Sequence, residues 1–238
     1  MAAVRIEVKK WSFWAPESGD PEDWLRHWSQ AGALSQEGEP IADAIPPMQR
    51  RRTSRLSKMA LSTALEAATD HAVDYSIFCS QHGEIVRTRQ ILSSISEGTE
   101  ISPTAFAQSV HNTSSGLFTI FEESNAPSTS VASGANTFAY GWMEAQAYLS
   151  SYPNHSVLLV DFDEVIPGEY RGYVDQAHCD HALALLLIAA DQHGIGIEQT
   201  PCGDVSRLPQ GPQFLAWLQS GEESLSLTAE RQGWQWRR

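Results

Sequence analysis

Apolar residues recur along this chain with two periods, and the alternation between them outlines a fold. "VRIEVKKWSFW" sets Val4, Ile6 and Val8 on alternate positions, the period of a strand with one exposed face. "DPEDWLRHWSQAG" carries a cap-like Asp20, a proline at the first helical position, and Trp24 and Trp28 four residues apart, which predicts a short helix. Residues 33–49, with adjacent prolines, read as an irregular surface excursion. From Thr53 the helical period returns through Leu56, Met59, Ala60, Ala64 and Ala67, and Leu61, Leu65 and Ala68 widen the stripe into a well-buried helix.

"DYSIFCSQHG" predicts a short strand, and "EIVRTRQILSSISEG" a helix through Ile85, Arg89, Leu92 and Ile95 that stops at Gly98. "ISPTAFAQSV" starts a helical turn at proline, and Asn112 or Thr113 suits the cap of a second helix through Leu117, Phe118 and Phe121. "STSVASGANTFAYGW" follows: an extended run, a cluster of very small residues, then a helix striped by Phe138, Trp142, Ala145 and Leu149. "HSVLLVDFDEV" is the clearest buried strand. "HALALLLIAADQHGIGIEQT" is ambiguous by period; the Gly194–Ile197 alternation favours two neighbouring strands. A short helix and a tryptophan-rich tail close the chain, where Trp234 and Trp236 fit an edge strand, a contact surface or core packing.

Strands alternating with helices predict a layered α/β sandwich with a mainly parallel central sheet, and 238 residues at 42% hydrophobic suffice for one domain over residues 1–238. No repeat or low-complexity tract interrupts it. No apolar run reaches the length of a membrane span and the start lacks the apolar core of a secretion signal, so a soluble cytoplasmic protein is expected. Cys79, Cys179 and Cys202 are odd in number and lack CxxC spacing, which points to reduced thiols. A net charge of -13 disfavours nucleic acid as a partner. Against it stands a local basic run, Arg50, Arg51, Arg52, Arg55 and Lys58, which either pairs with the protein's own carboxylates or docks an acidic partner.

Most catalytic patterns are missing. The strand-to-helix turn at 131–137 has the form that displays a nucleophile, but the glycine-flanked serine of a hydrolase elbow is not there, since Val131 holds the first glycine position before Ser133. No zinc-protease, dinucleotide or P-loop pattern occurs, so neither cofactor nor metal is expected. His178, Cys179 and His181 form the densest group of potential ligands, on adjacent positions that rarely converge on one ion. The acids of "DFDEV" at 161–165 follow a buried strand, where carboxylates serve chemistry or are simply solvated, and the solvated reading is favoured.

Taken as an ensemble, "ISPTAFAQSVHNTSSGLFTIFEESNAPSTSVASGANTFAYGWMEAQAYL" resembles the middle of beta-ketoacyl synthases, where a Ser-Pro-aromatic segment and an asparagine-containing turn precede the elbow of the nucleophilic cysteine. Ser102-Pro103 and Asn112 match that pattern, and the cysteine position falls on Ala135. "FCSQHGEIVRTRQIL" and "MQRRRTSRLSKMAL" resemble the small ketosynthase-like chain-length factors of aryl-polyene-type clusters. The resemblance covers residues 1 to about 200 and implies a thiolase-like fold, of which this chain would be one of two related halves.

Alanine cannot form the acyl thioester, and the histidines that the family's second half supplies are expected to be missing too. The resemblance therefore implies an emptied elbow, kept because Gly134, Ala135 and Ala139 allow close packing. It implies a non-catalytic subunit that pairs with an active beta-ketoacyl synthase, meets acyl carrier protein through that complex, and helps set chain length. In the resembling synthases the helix after "YSIFC" approaches the partner's acyl tunnel. That assigns Ile85, Val86, Arg89 and Leu92 to the partner-facing surface, with Ile85 or Val86 as an apolar stop and Arg89 paired near the tunnel end. Core packing of Ile85 and Leu92 is the plain alternative. A hydrolase or acyltransferase using Ser133, a malonyl decarboxylase using the emptied pocket, and a self-associating structural protein are the other functional readings.

Overall fold

The computed structural model describes residues 4–16, 23, 38–174, 179–191, 193–229 and 231–238. The short helix expected around Trp24 and Trp28 lies outside the described residues, as does His178. Five strands form the central sheet: β1 (Arg5–Trp14), β2 (Tyr75–Cys79), β3 (Ser128–Val131), β4 (Ser156–Asp163) and β5 (His181–Ala190). They lie in the order β1-β5-β4-β2-β3. Strands β4, β2 and β3 are mutually parallel, β5 runs against both β4 and β1, and so four of the five point the same way. A second antiparallel sheet orders β6 (Gly196–Thr200), β8 (Gln232–Arg237) and β7 (Ser224–Ala229). The two neighbouring strands expected after His181 do form, but they end up in different sheets.

Among the described residues the helices are α1 (Pro47–Arg50), α2 (Arg55–Ala68), α3 (Ile85–Glu97), α4 (Pro103–Ala107), α5 (Thr113–Phe121), α6 (Thr137–Ser151) and α7 (Gln210–Ser220), with a 3-10 turn at Gly168–Tyr173. Strand alternation divides the core in two. Val157 and Leu159 of β4, with Leu183, Leu185 and Leu187 of β5, face α6, α7 and the tryptophans of β8. Leu158, Val160 and Phe162 face the opposite way, against α2 and Phe118 of α5. The broad apolar stripe of α2 is buried as its composition requires, with Ser54 capping its first turn through Ser57 N. Gly98 ends α3 and Pro103 starts α4 as expected, with Ser102 capping that turn, whereas Asn112 sits at the start of α5 without a side-chain cap bond.

One expectation needs correction, and for the tryptophan-rich tail core packing holds among the alternatives. The excursion before α1 is only partly superficial, because Ile45 is fully buried and Ala42 nearly so beneath α2. The tail is the centre of its sheet, and Trp234 and Trp236 pack on Phe138, Phe214 and Tyr140 in the core. Trp234 donates its indole N–H to Asn136 Oδ1 at 2.8 Å, which ties the tail to the first turn of α6. That bond gives a buried indole its partner.

Candidate functional site: the elbow and the outer helix

Between β3 and α6 the chain turns at Ser133, Gly134 and Ala135. Gly134 takes φ +54, a left-handed conformation that costs glycine little, and a side chain there would meet open space. Its role is the turn and not close packing, a correction to the expectation. Thr137 fixes the corner: its hydroxyl accepts from Ser133 N at 2.8 Å and donates to Gly134 O at 2.7 Å. The close approach comes four residues after Thr137, at Gly141, where a Cβ would collide with Cys79 Sγ and Leu159. Ala139 is fully buried, and its free helix-terminal N–H is bonded by Gln210 Oε1 at 3.2 Å.

Ala135 opens onto a small cleft shared with Gln81, Thr137, Phe138, Asp161, Asp163, His181 and Gln210, with room for about one water. The three ionisable groups arrive there by strand period. Asp161 and Asp163 continue the Val157–Leu159 face of β4 toward α6, and register sets Asp163 opposite His181 on β5. All three are at most 5% exposed, so the expectation of solvated acids fails. The missed signal was the spacing of two in "DFD" after an alternating strand.

His181 Nε2 lies 3.3 Å from Asp161 Oδ2, and Nδ1 lies 3.0 Å from the carbonyl of Cys179. A backbone carbonyl only accepts hydrogen bonds, so Nδ1 donates, and the Asp161 carboxyl group beside Nε2 favours a positive charge on the ring. Burial opposes that charge, but the hydrogen bonds toward Asp161 and Cys179 and the charge on Asp161 outweigh it and hold the His181 pKa well above its ordinary value. Asp163 accepts from Ser80 Oγ at 2.8 Å and from Gln81 N at 3.0 Å. Burial pushes its pKa up to about 6; the neighbouring Asp161 adds to the rise, and His181 restrains it. Two buried cysteines lie at this end: the Cys79 thiol is pushed well up, first by desolvation and then by Asp161, and desolvation also raises the Cys179 thiol although His181 opposes it. Ser133 Oγ has no hydrogen-bond partner among the described residues, so no base activates it. This end of the sheet holds a satisfied charge cluster and no activated nucleophile. His181 and Cys179 are committed to that cluster, and the described residues contain no group of ligands arranged for a metal.

A second polar network extends from here to α3. Ser80 also accepts from Gly83 N, and Glu84, 3% exposed, takes hydroxyls from Ser54 at 2.6 Å and Ser57 at 2.7 Å. Ser114 of α5 joins through Ser57 at 2.9 Å. The start of α3 is thus held against α2 and α5, yet Ile91 is the only residue of the helix that is buried. Ile85 and Val86 are half-buried, and Leu92 is 53% exposed, which removes it from the core. Arg89 is exposed and pairs with Glu169 at 2.6 Å. Ile95, Phe106 and Val110 add to the exposed apolar residues of α3, α4 and the turn that follows.

The basic run splits into two sets. Arg50 pairs with Asp43 at 2.8 Å, Arg55 with the buried Asp180 at 2.8 Å, and Lys58 approaches Glu39 at 3.9 Å. The side chains of Arg51 and Arg52 are exposed and make no ion pair among the described residues.

A mostly parallel sheet, helices on both faces and a left-handed elbow leading into a buried helix define a thiolase-like α/β protein. The chain belongs to the family described as beta-ketoacyl synthase, N-terminal domain, which matches residues 24–237. It is similar to a chain of the structure of a ketosynthase (ApeO) in complex with its chain length factor (ApeC) from Xenorhabdus doucetiae, with 31% identity and a TM-score of 0.86 over 99% of this chain and 100% of that one. The ishigamide ketosynthase/chain length factor (13% identity, TM-score 0.66, 83% of this chain, 67% of that one) shares the fold. So does a beta-ketoacyl synthase from Burkholderia phymatum STM815 (12%, 0.61, 84% and 65%). No protein of curated function matches the chain. Among the described residues no helix is long and apolar enough to cross a membrane.

Proposed function

We propose that this chain, acting as one domain over residues 1–238, is a non-catalytic chain-length-factor subunit. It pairs with an active beta-ketoacyl synthase in the cytoplasm, meets acyl carrier protein through that complex, and limits chain length in type II polyketide or aryl-polyene biosynthesis. The observation that carries this reading is end-to-end likeness to a chain of a ketosynthase–chain length factor complex, in a protein with Ala135 where the resemblance puts the nucleophile. A satisfied charge cluster under that alanine, with Ser133 unactivated, supports a silent elbow over a hydrolase, an acyltransferase or a decarboxylase.

Ile85, Val86, Arg89 and Leu92 form the partner-facing surface in this reading. Ile85 or Val86 is the apolar stop, and filled space excludes a longer chain because overpacking costs about 1–3 kcal/mol. Arg89 is held by Glu169 in the free chain and would exchange that exposed partner on docking. Arg50, Arg51, Arg52, Arg55 and Lys58 were the docking set; with three of them engaged internally, Arg51 and Arg52 remain available to an acidic surface.

The test is co-expression with a cysteine-bearing synthase. A one-to-one complex is expected, dissociated by Leu92→Ser, with longer products from Ile85→Ala or Val86→Ala in the intact complex. A well-behaved monomer that ignores the synthase sinks the reading. Unchanged products from an intact complex would remove the stop from α3.

A further inference from the structure

The structure carries a shallow, open polar groove away from the elbow, of about 370 Å³, between the turn after α1, α3 and the start of α4. Its lining is Arg52, Arg87, Gln90, Ser102, Thr104 and Ala105, so all but one of the residues bring hydrogen-bonding side chains. We propose that this groove binds a phosphoryl group, recognised by Arg52 and Arg87 on one side and the hydroxyls of Ser102 and Thr104 on the other.

Three observations carry the assignment. First, one charge here is left over: on a chain of net charge -13, Arg52 is exposed with no carboxylate partner among the described residues. Arg87 is paired with the buried Glu84, whose Oε2 stands 3.8 Å from Nε while Oε1 is taken up by Ser54 and Ser57. Second, the groove is pre-ordered. Arg87 is only 14% exposed and donates to Gln108 Oε1 at 2.6 Å and to the Arg52 carbonyl at 3.3 Å, which fixes the guanidinium plane; of its five N–H groups, Nε points to Glu84 and one on each terminal nitrogen is uncommitted. Less side-chain entropy is lost when such a group takes a ligand. Third, the donors approach from three segments. Ser102 Oγ accepts from Ala105 N, so its own proton is available, and Thr104 Oγ has no partner among the described residues. Donors converging from several directions suit the three peripheral oxygens of a phosphoryl group better than a planar carboxylate.

The inference does not depend on the chain-length-factor reading, since it needs no partner subunit. The experiment is calorimetric titration of the full chain with inorganic phosphate, glycerol 3-phosphate, glycerophosphocholine and hexaglutamate. These separate free phosphate, a monoester, a diester and an acidic peptide. Saturable binding of at least one phosphoryl probe is expected, in the millimolar range of a small ligand. Arg52→Ala should weaken it about tenfold and Thr104→Val about threefold, in the range of single charge-assisted and neutral hydrogen bonds. Both residues are exposed, so folding should be intact, and an unchanged urea midpoint checks it. Arg51→Ala, which removes an equal charge outside the groove, should leave affinity within twofold. Binding of hexaglutamate alone, no saturation by any phosphoryl probe, or equal losses from Arg51→Ala and Arg52→Ala would each overturn the assignment.

Discussion

The elbow end of the central sheet and the outer side of α3 are joined by one hydrogen-bonded loop, Ser80–Glu84, but they resolve their charges in opposite ways. At the elbow, Asp161, Asp163 and His181 are buried and matched to one another, to Ser80 and to the backbone. On α3, the apolar residues Leu92 and Ile95 are more than half exposed, and Arg52 stands beside the helix without an ion-pair partner among the described residues. A buried charge is tolerated only when paired, so the first region is committed to its own structure. An exposed apolar stripe beside unpaired cations has no such internal use, and it is where a surface meets something else.

The sharpest way to break this comparison is to unpair the buried cluster. His181→Ala leaves the buried Asp161 without its cation, and should destabilise the chain by about 3–5 kcal/mol, read as a fall in the urea midpoint at unchanged slope. Leu92→Ser, on the other region, should change it by less than about 0.5 kcal/mol. If His181→Ala is as mild as Leu92→Ser, the elbow cluster is not the structural centre that its burial implies.

The division between these regions was only partly legible in the sequence. Periodicity located β4, α2 and α6 because each buries a continuous stripe, and Gly98 marked the end of α3 by its left-handed turn. The same logic fails at "DFDEV": polar residues at a strand end suggest solvation, whereas the first turns of α6 and α7 meet Asp161 and Asp163 there. Pairing of Asp161 with His181, 20 residues apart, depends on antiparallel register between β4 and β5, which no local pattern encodes. Gly211 in the first turn of α7 is equally silent in sequence, though a Cβ there would collide with the Asp161 carboxylate. Trp234 and Trp236 alternate like an edge strand, and only the second sheet's order makes theirs the central one.

A smaller effect sharpens the contrast through pH. Glu164 follows β4, and burial, then the charges of Glu84 and Asp180, push its pKa up to about 8, with Arg55 partly opposing. The folded chain therefore holds a proton that the unfolded chain releases, so stability falls as pH rises from about 4.5 to 8 and levels off above. Asp163, raised to about 6, acts in the same sense over a lower window, and His181, raised from its ordinary value, loses its contribution at higher pH still. Glu164→Gln should match the parent near pH 4.5 and be more stable by about 1–3 kcal/mol at pH 8. Parallel urea curves for the two proteins across that range would show that Glu164 is solvated.

The smallest effect concerns the arginines that the fold leaves over. Arg50, Arg55 and Lys58 face carboxylates of the same chain, whereas Arg51 and Arg52, in the turn between α1 and α2, make no ion pair among the described residues. If the proposed synthase partner docks against this side, their charge acts on encounter more than on the docked contact, because rim charges steer diffusion and are screened within about 8–10 Å at ordinary salt. Arg51→Glu should then slow association about threefold at low ionic strength, with dissociation and the urea midpoint unchanged. The difference should vanish as salt is raised. A change confined to the dissociation rate would place Arg51 inside the docked interface. Identical association rates at every salt concentration would remove the basic turn from the encounter and leave the apolar face of α3 as the only part of this region that a partner uses.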